Sequence, residues 1–128
     1  MTEKELLELA RAARELAYAP YSHFRVGAAL LTGSGKTYVG CNIENAAYSA
    51  TICAERTAFC KAVSEGEREF VMIAIAGDCD PCPPCGVCRQ VMREFCGDSF
   101  VILTESGRNT LGELLPHSFG PKNLEDSI

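Results

Sequence analysis

The chain has 128 residues, near the commonest domain length, and a chain of that size buries roughly two-thirds of the surface it exposes unfolded, so one domain spanning 1–128 is expected. Twelve basic against 17 acidic residues give a formal charge of -5; the cations are scattered, which argues against a phosphate-backbone partner. Apolar runs are short, and Met1-Thr2-Glu3-Lys4-Glu5 carries acids where a signal peptide would carry a basic region, so neither a membrane span nor a secretion signal is read and a cytoplasmic location is expected.

In chain order, Thr2-x-x-Glu5 has the form of a capping box and Leu6, Leu9, Ala10, Ala13 and Ala17 recur at helical spacing, predicting a helix over 2–17 that Pro20 ends. Phe24–Leu31 and Lys36–Gly40 flank Gly33-Ser34-Gly35 and read as a hairpin, although Gly27 weakens the first strand. A second helix is predicted from about Ile52 to Ser64. Next comes Phe70-Val71-Met72-Ile73-Ala74-Ile75-Ala76, whose near-continuous apolar character suggests a central strand. After a loop rich in cysteine and proline, Gly86–Phe95 reads as a helix and Phe100–Thr104 as a strand. Thr110-x-x-Glu113 forms another capping box ahead of Leu111, Leu114 and Leu115. Alternating strands and helices argue for α/β layering.

Eight cysteines in such a chain call for a chemical explanation, because clustered thiols in a reducing compartment bind metal or react more often than they bridge. Pro84-Cys85-Gly86-Val87-Cys88 places a C-x-x-C pair at a predicted helix start, where first-turn amides offset thiolate charge. Cys53-Ala54-Glu55 lies 32 residues upstream at another helix start, adding a third thiolate and a carboxylate. Three ligands leave one zinc coordination position open, and a water there would ionise near neutral pH with Glu55 to carry its proton. Arg56 adjoins Cys53 and Glu55 and is expected to offset surplus thiolate charge. Spacing alone also admits a closed structural zinc site or a redox dithiol, because Cys82-Pro83-Pro84-Cys85 overlaps the second pair.

Five separated segments carry a resemblance: Ala19-Pro20-Tyr21-Ser22-His23-Phe24, Val26-Gly27-Ala28-Ala29-Leu30, Cys41-Asn42-Ile43-Glu44-Asn45, Cys53-Ala54-Glu55-Arg56-Thr57-Ala58 and Pro84-Cys85-Gly86-Val87-Cys88-Arg89-Gln90. Together they resemble the homotetrameric, three-cysteine cytidine deaminases, over about Leu6 to Leu124. The resemblance implies a three-layer α/β/α fold with a mixed central sheet. Its final strand is expected to be shortened or missing, because only Glu105-Ser106-Gly107-Arg108-Asn109 stands where the family has a longer segment.

The resemblance also implies one Zn2+ per subunit, held by Cys53, Cys85 and Cys88, and hydrolysis of free cytidine and deoxycytidine to uridine and deoxyuridine with release of ammonia. Asn42 and Glu44 would hold the ribose hydroxyls, Phe24 would pack near the pyrimidine, and Ala54 would belong to the substrate site. Tyr48 and Phe119 would reach a neighbouring subunit's pocket in a homotetramer with shared active sites. Asn42 and Glu44 lie two apart, so in an extended segment they share a face. That pair and the acidic charge favour a free nucleoside over a polynucleotide substrate. Cys79 and Cys82 have no counterpart role and read as adventitious thiols, Cys41, Cys60 and Cys96 as small apolar or surface residues, and His23 and His117 as structural or exposed.

Overall fold

A computed structural model describes residues 1–125. Helix α1 (Glu3–Arg14) starts as expected: the Thr2 hydroxyl accepts from the Glu5 amide at 3.1 Å while the Glu5 carboxylate accepts from the Thr2 amide at 2.8 Å. It ends three residues short of Ala17, because the amides of Glu15, Leu16 and Ala17 reach back only three residues and tighten the chain into a turn. That turn brings Tyr18 alongside Asn42, with the Tyr18 amide donating to the Asn42 carbonyl at 3.0 Å.

The hairpin is β1 (Val26–Thr32) and β2 (Thr37–Cys41). β1 begins two residues later than expected, since Phe24 and Arg25 belong to a side-chain-tethered loop. Helix α2 (Ala54–Ser64) follows; Ile52 lies outside it and bridges Ile43 instead. Strand β3 (Phe70–Gly77), helix α3 (Gly86–Phe95) and strand β4 (Val101–Thr104) complete a crossover, and β3 and β4 pair in parallel.

The last strand is short but formed. β5 (Gly107–Thr110) pairs antiparallel with β4, Thr104 opposite Gly107. Only Glu105 and Ser106 are needed to turn the chain, and Gly107 takes φ +136°, a value open to glycine. Of the two outcomes expected for this region, a shortened or a missing strand, the strand is shortened: a two-residue turn makes a longer segment unnecessary. Arg11 clamps Glu105 with a pair of hydrogen bonds at 2.7 and 2.8 Å, tying the turn to α1. The capping box at Thr110 and Glu113 opens the short helix α4 (Leu111–Leu114).

The mixed sheet runs β2-β1-β3-β4-β5. On one face α1 buries Leu6 and Ala10 against Ala29, Ala74, Ala76 and Leu103. On the other, α2 and α3 cover Ala28, Leu30, Ile73, Ile75 and Ile102. Alternate residues of β3 thus enter two cores, which is why that strand reads as an unbroken apolar run. Phe59 anchors the second core among Phe70, Phe95 and Phe100, with ring centroids 5.0 to 6.3 Å away.

Two glycines set the layer spacing. A side chain at Gly27 would enter the backbone of α1, and one at Gly40 would meet Ala54 O and Ala58 N of α2 at 2.7 Å. Gly27, which weakens β1 by propensity, is the residue that lets α1 dock. Among the described residues no helix is long and apolar enough to cross a membrane.

Candidate active site

α2 and α3 lie side by side on one sheet face, and each begins at a cysteine: Cys53 is the N-cap of α2 and Cys85 the N-cap of α3. Cys88 is the third residue of α3, within its first turn, and is buried. The Cys53 and Cys85 sulfurs are 3.9 Å apart, those of Cys85 and Cys88 3.4 Å, and all three lie within 4.8 Å of one another. Tetrahedral zinc with bonds of about 2.3 Å needs sulfurs about 3.8 Å apart, so this donor set fits a zinc ion. Both helix N-termini add partial positive charge that favours thiolates here.

Glu55, in the first turn of α2, is 5% exposed. Burial is the main cause that pushes its carboxyl up to about 7. The Arg56 guanidinium donates from Nη2 to Cys53 Sγ at 3.5 Å and to the Thr51 carbonyl at 3.4 Å, and its buried Nε has no hydrogen-bond partner among the described residues. The Cys53 thiol is lowered to about 5, first by its hydrogen bond with Cys88 and then by Arg56, against burial. Cys88 is shifted upward by that same hydrogen bond and by burial.

A second group of residues surrounds the segment Asn42–Asn45, which is held extended between Tyr18 and Ile52. Asn42 and Glu44 point to one side, both toward the loop ahead of β1. The Asn42 amide donates to the Phe24 carbonyl at 2.8 Å and accepts from the Val26 amide at 2.9 Å. Glu44 accepts from the Tyr21 and Ser22 amides at 2.9 and 3.1 Å and from the Ser22 hydroxyl. That hydroxyl accepts in turn from the Phe24 amide at 3.0 Å. Tyr21, Ser22, Glu44, Asn45, Tyr48 and Thr51 line a cavity of about 440 Å³.

A family model described as the cytidine and deoxycytidylate deaminase zinc-binding region matches residues 1–104. The chain belongs to this deaminase family. A cytidine deaminase from Sporosarcina psychrophila is 51% identical over 97% of the chain and 96% of that relative. One from Halalkalibacterium halodurans is 49% identical over 98% and 100%. The crystal structure of cytidine deaminase from Burkholderia pseudomallei superposes with a TM-score of 0.88 at 49% identity, covering 93% of this chain and 100% of that one.

In this family member the sulfurs of Cys53, Cys85 and Cys88 lie together with Arg56 bonded to Cys53, and Asn42, Glu44 and Phe24 share one hydrogen-bonded loop. Ala54 is buried as the first residue of α2, its carbonyl facing Gly40. Phe24 is 37% exposed, Tyr48 77% and Phe119 60%. Tyr48 packs edge-on to Tyr21 at 6.4 Å. Cys82 lies outside the three-sulfur group and is half-buried, packed against the core. A wider cavity of about 780 Å³, near Arg93, Asp98, His117 and Lys122, contains none of these residues; size alone does not select the chemistry.

Three supporting side chains escaped sequence reasoning. Ser22 links Glu44 to Phe24. Arg89 donates to the Pro84 carbonyl at 2.8 Å and the Leu114 carbonyl at 2.6 Å, holding the loop that delivers Cys85. Gln90 donates to the Phe119 carbonyl at 2.9 Å. All three sit inside the quoted motifs, but their roles depend on partners distant in sequence.

Proposed function

We propose that the chain deaminates free cytidine and deoxycytidine hydrolytically, yielding uridine or deoxyuridine and ammonia, with one zinc ion held by Cys53, Cys85 and Cys88. The observation that carries this reading is the convergence of three sulfurs at two helix starts beside the buried carboxyl of Glu55. Bound there, zinc with an open fourth position supplies an acidified water as nucleophile. Glu55 accepts the proton of the attacking water and delivers a proton to the pyrimidine N3, making C4 electrophilic. It then protonates the departing amino group. Burial suits it to both roles, since a carboxyl titrating at about 7 both takes and returns a proton near neutrality. Arg56 offsets the surplus negative charge of three thiolates around a divalent ion.

Substrate positioning falls to Phe24, Asn42, Glu44 and Ala54. The amide and carboxylate already organise the Tyr21–Val26 loop and keep unused hydrogen-bonding capacity for vicinal hydroxyls. Tyr48 and Phe119, large aromatics left exposed, support a homotetramer in which each completes a neighbouring subunit's site. A single domain, active in the cytoplasm without nucleic acid, accords with the even acidic charge.

The test is to follow ultraviolet absorbance of cytidine and deoxycytidine with the purified, zinc-loaded protein. Glu55→Gln should keep zinc and fold and lose about 10²–10⁴-fold in turnover. Near-normal turnover in that variant would remove Glu55 from the mechanism, and absence of ammonia release by the unmodified protein would remove the function.

A further inference from the structure

The loop joining β3 to α3 nests three C-x-x-C pairs: Cys79-Asp80-Pro81-Cys82, Cys82-Pro83-Pro84-Cys85 and Cys85-Gly86-Val87-Cys88. The last pair belongs to the metal cluster, and the middle one shares Cys85 with it. Cys79 and Cys82 remain outside that cluster, both unbridged, one exposed and one half-buried. Cys79 acts on the Cys82 thiol as a near neighbour, and Cys79 Sγ donates to the Pro81 carbonyl at 3.3 Å. The side chain of Cys79 is thus folded back over its own loop.

The geometry around the pair holds it together. The Asp78 amide donates to the Arg25 carbonyl at 3.0 Å, and its carboxylate accepts from the Arg25 amide at 2.8 Å. Asp80 accepts from the Ser106 hydroxyl at 2.8 Å. Cys82 turns inward over Gly77, its Cβ and Sγ filling the space where a side chain on that glycine would stand. Burial, then Cys79, pushes the Cys82 thiol up to about 12.

We propose that Cys79 and Cys82 form a dithiol that small-molecule disulfides oxidise reversibly to an intramolecular disulfide, a modification site separate from the zinc centre. The separation rests on the zinc reading above, in which Cys53, Cys85 and Cys88 are occupied by the ion. Exposed Cys79, as thiolate, attacks one sulfur of the small disulfide; a mixed disulfide forms and one small thiolate leaves. Cys82 then gives its proton to solvent. Cys82 attacks the Cys79 sulfur and expels the second small thiolate. Two protein thiols give up two protons and two electrons, and the small disulfide becomes two thiols.

The experiment treats zinc-loaded holoenzyme with oxidised glutathione and follows free thiols, intact mass, peptide linkage and zinc content. The expected result is loss of two free thiols, a Cys79–Cys82 link, unchanged zinc and full reversal by a dithiol reductant. Cys82→Ser should stop at a lasting glutathione adduct on Cys79, and Cys79→Ser should form neither adduct nor link. Three results overturn the proposal: a persistent adduct on Cys79 of the unmodified protein, a link through Cys53, Cys85 or Cys88 with zinc release, or no loss of thiols. Zinc content measured before oxidant is added tests the metal reading alone, so the two failures are distinguishable.

Discussion

Replacing Gly40 by alanine tests whether the docking of α2 on β2 sets the chemistry. The added methyl group would stand 2.7 Å from both Ala54 O and Ala58 N and 2.9 Å from Thr57 Cβ. Two of those atoms are backbone, so no side-chain rotation relieves the clash; ordinary contact begins at 3.4 Å, and the first turn of α2 must lift by about 0.7 Å. Overpacking of that kind costs about 1–3 kcal/mol, or roughly 4–12 °C in Tm for a chain of this size. The turn that lifts is the one carrying Cys53, Ala54 and Glu55, and a displacement approaching 1 Å costs up to about 10²-fold in rate. Thermal unfolding and steady-state turnover of Gly40→Ala, each with zinc content measured, form the assay. A variant with the parent's Tm and turnover would refute the reasoning, because α2 would then not be seated by contact at Gly40.

Arg56→Gln should move the acidic limb of the activity profile to higher pH, since the thiolates lose their compensating charge; an unmoved limb would exclude that role. Ser22→Ala should raise KM for the nucleoside by roughly tenfold with a smaller effect on kcat, the loss of one charge-assisted hydrogen bond at about 1.4 kcal/mol. A change confined to kcat would contradict it. The Glu44 carboxyl is held below its ordinary range, first by the Ser22 hydroxyl and then by the Ser22 and Tyr21 amides. A depressed folded value means the tether is complete above the ordinary carboxylate pKa and fails as pH falls through the folded one. Amide-exchange protection at Tyr21 and Ser22 should therefore hold down through the ordinary carboxylate range and be lost only on acidification below it. Protection that declines between neutrality and pH about 5 would show that another group holds the loop.

Much of this architecture is legible along the chain because its signals are local. The capping boxes at Thr2 and Thr110 form as written, and the continuous apolar run of β3 reflects a strand buried on both faces. Element ends are less legible, since tertiary partners decide them. Ile52 leaves the expected helix to pair with Ile43, and Phe24 leaves the expected strand because Asn42 and Ser22 hold its backbone. The last strand could not be read from a five-residue segment without knowing that Glu105 would be clamped by Arg11 from the far end of the chain.

The sequence by itself determined the chemical inventory: three thiols and a carboxyl at two helix starts, with a guanidinium beside them, because residue type and short spacing suffice to define a zinc donor set. It also carried the family, through motifs spread along the chain. Only the tertiary structure decided that Cys82 stays out of the three-sulfur cluster while remaining a near neighbour of Cys79, and that Asn42 and Glu44 first organise the Phe24 loop. Those outcomes depend on where Gly77, Ser22 and Gly40 leave room or supply a donor, and such contacts arise between residues distant in sequence, at distances that no local pattern encodes.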